Sequence, residues 1–251
     1  MGTYAAVVLA GGAARRMGGV DKPALPVGGQ PMRDRVLAAV TDAVPRVLVG
    51  AADAVPAGVL VVREDPPGGG PVAAAAAGLA LLDADTGMVA LLAADLPLLT
   101  RAAIGDLLNH LDRETPDTEP TGDRSAPASP AHGGLAPASP AHDGSAPAAP
   151  AHDGLASPPR SGGGERGPDG VCFVDTDGRR QSLCGVWRVA ALRAAVDRLT
   201  VERGGSLSGA PVRALLAGLV VREVAWSGEG PPPWFDCDTD EDVRRAEEWA
   251  R

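Results

Sequence analysis

Residues 4–22 read YAAVVLAGGAARRMGGVDK, an apolar run of strand length that gives way at once to a loop dense in glycine and charge. Between Leu9 and Lys22 lie four glycines, two arginines, an aspartate and a lysine. Gly11 and Gly12 permit close backbone approach and positive φ, exposed N–H groups in such a turn form an anion nest, and Arg16 and Lys22 bring two cations to it. The loop is therefore read as a polyphosphate cradle at the end of a strand. Two familiar glycine patterns do not fit. A G-x-x-x-x-G-K-[ST] loop needs a hydroxyl residue after its lysine, whereas Lys22 stands between Asp21 and Pro23. A G-x-G-x-x-G fingerprint fails at its third and sixth positions, Ala13 and Arg16.

Working outward, apolar runs alternate with helical patterns. MRDRVLAAVTDAV (Met32 to Val44) carries Val36, Leu37, Val40 and Val44 at helical spacing and predicts a helix over that whole span. RVLVGAA (46–52) and GVLVVRED (58–65) predict strands, followed by an alanine-rich helix from Val72 to about Asp83. MVALLAAD (88–95) predicts a buried strand, and Thr100 is the expected N-cap of a helix over TRAAIGDLLNHL. Further on, GVCFVD, LCGVWRV and LVVREVAW predict strands, with helices over 190–199, 211–216 and from about Asp240. Continuous apolar strands alternating with helices call for an α/β fold whose mostly parallel sheet is covered on both faces. Ligands of such sheets sit at the carboxyl ends of the strands, where both the opening loop and Asp95 fall.

Residues 112–168 break this pattern. Three ten-residue repeats, SAPASPAHGG, LAPASPAHDG and SAPAAPAHDG, carry prolines every few positions, so neither helix nor sheet pairing is sustainable and a disordered Pro/Ala/Ser/Gly-rich insertion is expected. His132, His142 and His152 recur at equal spacing, which suits weak metal capture or simple repeat expansion in a solvated loop. The chain is thus read as one domain with two halves, 1–111 for nucleotide binding and 169–251 for the acceptor, separated by that insertion. A net charge of −9 argues against a general nucleic-acid surface, since a phosphate backbone rewards basic surfaces. Cys172, Cys184 and Cys237 lack metal or redox spacing and are expected to be buried, inert thiols of a reducing compartment. No long apolar span or basic leader is found, so no membrane association and a cytoplasmic location are expected.

LAGGAARRMGGVDK resembles the L-A-G-G-x-x-x-R-M-G-x-x-D-K signature of the molybdenum cofactor guanylyltransferases, members of a wider group of Rossmann-like nucleotidyltransferases. The resemblance continues in REDPPGGGPVAAAAAGL, LLAADLPLLT, QSLCGVW and FDCDTDED. It implies a three-layer αβα nucleotidyltransferase fold and Mg²⁺-dependent transfer of GMP from GTP to molybdopterin, with release of pyrophosphate. Other molybdenum-cofactor assembly proteins are implied as further partners. Carried onto this chain, Leu9, Ala10, Gly11 and Gly12 form the nucleotide-binding backbone edge. Arg16 and Lys22 hold phosphates, Asp65 contacts the nucleoside, and Asp95, with Asp236 and Asp238, binds Mg²⁺. Arg16, Lys22 and Asp95 are the implied catalytic residues.

Departures from the pattern bear on these expectations. VGAAD lacks the asparagine common after the second strand, Ser182 replaces the proline of Q-P-L, and Ala94 replaces a cysteine. Asp236 and Asp238 stand where asparagines are common. Plainer roles exist as well: Asp65 suits the start of a turn, Asp95 a loop cap, and the late aspartates the lead-in to a helix. Two other functions remain open: a related transferase using CTP or a sugar phosphate, and a catalytically silent nucleotide-binding module. A glycine at position 11 leaves room for a purine beside the backbone and so favours guanine.

Overall fold

The computed structural model describes residues 3–11, 22–52, 54–113 and 167–251. Of the expected disordered insertion, 112–168, residues 114–166 with the three histidines lie outside these residues, as do Gly12 and Arg16; at its bounds Asp112 instead ends a helix and Pro168 is buried. The first strand, β1 (Tyr4–Leu9), is buried at all six positions, because it runs through the interior of the sheet and is covered on both faces. Tyr4, Ala6 and Val8 point to one face, and Ala5, Val7 and Leu9 point to the other, as the two-residue strand period requires.

After β1, a short 3₁₀ turn (Lys22–Ala24) leads into a small antiparallel hairpin of β2 (Pro26–Val27) and β3 (Gln30–Pro31). There follow α1 (Met32–Ala39), β4 (Arg46–Val49), β5 (Val59–Val62), α2 (Pro71–Leu79), β6 (Met88–Ala93) and α3 (Arg101–Asp112). From residue 167 onward come β7 (Gly170–Val174), β8 (Arg180–Arg188), α4 (Val189–Glu202), α5 (Val212–Leu215), β9 (Val221–Ala225) and α6 (Asp240–Trp249). The seven-stranded sheet has the order β5-β4-β1-β6-β8-β7-β9. Only β8 runs against its neighbours, because a tight turn through Gly178 folds it back on β7. The sheet is therefore mostly parallel, as the alternation of apolar runs predicts.

Helices α1 and α3 cover one face, and α2, α4 and α5 the other. Gly78 makes the α2 contact possible: a Cβ there would strike Val7 and stand 3.1 Å from Val49 Cγ2. A third, smaller cluster of Val27, Met32, Leu98, Cys237 and Ala246 ties the β2–β3 hairpin to the C-terminal segment. Thr100 caps α3 as expected, its hydroxyl oxygen accepting from Ala103 N–H at 3.2 Å.

One expected helix is shorter than its pattern. The apolar spacing over residues 32–44 predicts a helix to Val44, but α1 ends at Ala39 and Val44 is 72% exposed. Pro45 explains the difference, since the residue before a proline is driven out of the α region. The chain instead turns, and Val44 N–H donates to the Tyr4 carbonyl. All three cysteines are buried free thiols, as expected. Burial pushes Cys172 up to about 11 and Cys237 to about 12, and raises Cys184 further. Among the described residues no helix is long and apolar enough to cross a membrane.

The two chain ends flanking residues 114–166 meet at the amino-terminal edge of the parallel strands, away from Leu9 and Asp95. Arg188, whose Cα pairs with Met88 at the start of β6, donates to the carbonyls of Leu111 and Pro168 at 3.4 and 3.0 Å. Arg222 donates to the carbonyl of Arg113 at 3.1 Å. Because one guanidinium reaches both sides, replacing residues 114–166 by a short Gly/Ser linker should leave the fold intact. Loop closure costs only about 0.6 kcal/mol per doubling of length. Melting followed by circular dichroism should show a midpoint within a few degrees of the parent; a collapse of the transition would show that the segment packs on the core.

Candidate functional site

The carboxyl ends of β1 and β6 lie side by side, so the residues that follow them share one edge of the sheet. Backbone bonds extend the pairing past the strand ends: Ala10 N–H donates to Val49 at 2.8 Å, and Ala94 N–H donates to Leu9 at 3.0 Å. Gly50 backs this edge at φ +145°, and a Cβ on it would stand 2.9 Å from the Ala10 carbonyl carbon. The expected binding edge of Leu9, Ala10 and Gly11 is thereby held rigid between β4 and β6. Gly50 has no signature in sequence beyond being glycine at a strand end.

Three charged side chains from distant parts of the chain meet here. The Lys22 ammonium donates to Asp95 Oδ2 and to Asp238 Oδ1, each at 2.7 Å. Lys22 arrives on the 3₁₀ turn, Asp95 on the loop after β6, and Asp238 on the segment before α6. That last segment is positioned by its backbone, since Cys237 N–H donates to the Asp95 carbonyl at 3.3 Å while the Cys237 side chain is fully buried. Cys237 therefore aims its neighbours, a role that no cysteine spacing reveals.

The electrostatics follow from this crowding. Burial pulls the Lys22 ammonium down, but its hydrogen bonds to Asp238 and Asp95 outweigh that and hold it above the usual lysine value. Asp236 is held above the ordinary carboxylate range, first because neighbouring atoms strip water from its carboxyl, then because Asp238 and Asp95 add negative charge. Asp238 remains largely open to solvent, its side chain 73% exposed, whereas Lys22 keeps only 13%.

Asp95 and Asp238 supply hard oxygen donors of the kind that suit Mg²⁺, which keeps several waters and takes few carboxylates. Among the described residues no three acidic, histidine or cysteine side chains form a ready cation cage. The Lys22 ammonium instead stands between two of the three expected carboxylates. Asp65 is exposed, and it is Glu64 beside it that is buried: a Cβ on Gly11 would lie 3.3 Å from Glu64 Oε1. Gln181 donates to Asp175 Oδ2 at 3.0 Å, tying the start of β8 to the β7–β8 turn.

Solved structures share this architecture. The 2-C-methyl-D-erythritol 4-phosphate cytidylyltransferase of Thermus thermophilus is 15% identical, with 99% of each chain covered and a TM-score of 0.57. Molybdopterin-guanine dinucleotide biosynthesis protein A of Archaeoglobus fulgidus is 16% identical, covering 97% of this chain and 96% of its own, with a TM-score of 0.56. A Mycobacterium sp. strain JC1 homologue of Mycobacterium tuberculosis Rv0371c is 19% identical over 98% of this chain and 96% of its own, with a TM-score of 0.57. At these identities the likeness is one of fold, an α/β nucleotidyltransferase architecture. Curated protein sequences give no significant match. The family model of the MobA-like NTP transferase domain matches residues 6–153, more than half of the chain, so this protein belongs to that family of nucleotidyltransferases.

Proposed function

We propose that the protein transfers GMP from GTP to the terminal phosphate of molybdopterin and releases pyrophosphate, with Mg²⁺ as cofactor. The observation that carries this reading is the Lys22 ammonium between Asp95 and Asp238, beside the Leu9–Gly11 edge where the parallel strands end. A cation and two carboxylates at that edge suit a metal-bound triphosphate. The Archaeoglobus fulgidus structure named above is a molybdopterin-guanine dinucleotide biosynthesis protein, which favours guanine. The cytidylyltransferase among the fold neighbours is the reason CTP is kept as the second reading.

In this reaction an oxygen of the acceptor phosphate attacks the α-phosphorus of GTP, and the bond from that phosphorus to the oxygen bridging to the β-phosphate breaks. Pyrophosphate leaves with the electron pair. The protein need supply little covalent chemistry, so its work is positioning and neutralising negative charge. Leu9, Ala10, Gly11 and Gly12 would form the backbone edge for the nucleotide, and Asp65 would contact the nucleoside. Lys22 and Arg16 draw phosphate oxygens to the edge. Asp95, joined by Asp238 or Asp236, would hold Mg²⁺, whose contribution is to neutralise the triphosphate and stabilise charge on the departing pyrophosphate. Lys22 balances Asp95 and Asp238 directly, which fixes its ammonium at this edge. The division into a nucleotide-binding half, 1–111, and an acceptor half, 169–251, belongs to the same proposal.

The test is to incubate purified protein with each NTP and Mg²⁺, with and without molybdopterin, and to measure pyrophosphate release. GTP with molybdopterin should give turnover; turnover with CTP alone would move the protein to the second reading. Lys22→Ala should shift unfolding by no more than about 1 kcal/mol, since Asp95 and Asp238 both retain solvent to screen them. Its turnover should nevertheless fall about 10²-fold or more, in line with losing one charge-stabilising donor. Normal turnover would make Lys22 a structural charge only.

Asp95→Asn should lower the rate roughly 10²- to 10³-fold and weaken the dependence on Mg²⁺, whereas Asp236→Asn and Asp238→Asn should cost much less. Turnover measured against Mg²⁺ concentration checks all three. An unchanged Mg²⁺ profile in Asp95→Asn would remove the metal assignment, and a severe loss confined to either late aspartate would move the principal ligand there.

A further inference from the structure

Glu64 is one of two charged residues buried among those described, with 6% exposure. It lies just past the carboxyl end of β5, and its Oε1 accepts the Gly68 N–H at 2.9 Å, which fixes the plane of the carboxylate. Oε2 accepts no hydrogen bond from the described residues. Both oxygens face Gly11: a Cβ on that glycine would stand 3.3 Å from Oε1 and 3.5 Å from Oε2. Oε2 thus keeps acceptor capacity at a side chain that is otherwise buried, open to an incoming donor. Gly11 is the residue whose missing side chain leaves that carboxylate uncovered.

The placement says which part of a nucleotide would meet it. In the strand order β5-β4-β1-β6, the Lys22–Asp95 pair lies on the β6 side of β1, and Glu64 lies on the β5 side. A nucleotide laid along the Leu9–Gly11 edge with its phosphates at Lys22 has its base toward Glu64. Ionised carboxylates only accept hydrogen bonds. Guanine is the one common base whose Watson–Crick edge offers two adjacent donors, N1–H and an N2 amino hydrogen. Adenine and cytosine set one amino donor beside a ring nitrogen that repels a carboxylate, and uracil sets one N–H between two carbonyls. We infer that Glu64 is the base-selecting residue of this enzyme, accepting N1–H and N2–H of bound guanine. This rests on the GTP reading given above and adds to it the group that reads the base.

Calorimetric titration of the full chain with GTP, ITP, ATP and CTP tests it, because inosine keeps N1–H and lacks the N2 amino group. Wild type should bind GTP about 10- to 100-fold more tightly than ITP, as expected for one hydrogen bond to a charged acceptor. Glu64→Gln keeps an oxygen for Gly68 but turns a donor toward guanine, so it should bind GTP at least about 10-fold more weakly, with ATP and CTP little changed. The GTP-to-ITP ratio should fall toward one, with an unaltered melting midpoint for the free protein. A wild-type preference for guanine that survives Glu64→Gln would overturn the role of Glu64 and leave the GTP reading standing. Equal wild-type binding of GTP and ITP would overturn the N2 contact without recourse to any variant. Wild type that prefers CTP would overturn both this inference and the guanine assignment beneath it.

Discussion

Burial of β1 on both faces is the constraint from which the site follows. A strand with six buried residues must be flanked and roofed, and here β4 and β6 flank it in parallel while helices cover both faces. Parallel pairing sends all three strands toward the same edge, so the groups that follow β1 and β6 share it without any long-range design. Backbone pairing continues past the strand ends, through Ala10 N–H to Val49 and Ala94 N–H to Leu9, so the edge is held as a fixed surface. Gly50 sharpens the effect by letting the β4 turn press directly against Ala10.

Upon this scaffold the charged groups constrain one another. Lys22, Asp95 and Asp238 come from the beginning, middle and end of the chain, and two fixed points hold them: the strand end before Asp95 and the Cys237 backbone bond to it. The buried Cys237 thiol is pushed up to about 12, above all by burial, so it stays protonated and packs as a small apolar group with Met32 and Leu98. Around Lys22, negative charge is thus carried by carboxylates with access to water, while the Glu64 carboxylate lies buried on the other side of Gly11. In a chain that is acidic overall, Lys22 offsets part of the negative charge gathered at this edge.

Much of this was legible in the chain. The buried strands are short continuous apolar runs, and the end of β1 and Asp95 could be placed on one edge because parallel strands end together. The helix predicted to Val44 stops at Ala39, and Pro45 bars Val44 itself from it, a local rule overriding a periodic one. Glu64 is hidden for a different reason: in REDPPGGG it resembles a turn charge, and only the packing of the β5 end against Gly11 gives it a purpose. The β2–β3 hairpin is too short to carry a pattern, and the Cys237 contact joins backbone atoms whose side chains say nothing about it. Arg16 and Gly12 fall outside the described residues, so their place rests on the resemblance alone.

The two arginines that gather the chain ends near Arg113 and Gly167 have a consequence for how this protein can vary. Arg188 and Arg222 spend their donors on main-chain carbonyls, so the join does not depend on the side chains being joined. A connection fastened through backbone atoms, on the far rim from the reacting groups, is a port: sequence can be lengthened, shortened or exchanged there with little trace at the opposite rim. A join of this kind supplies a mechanical basis for variation in length between Arg113 and Gly167.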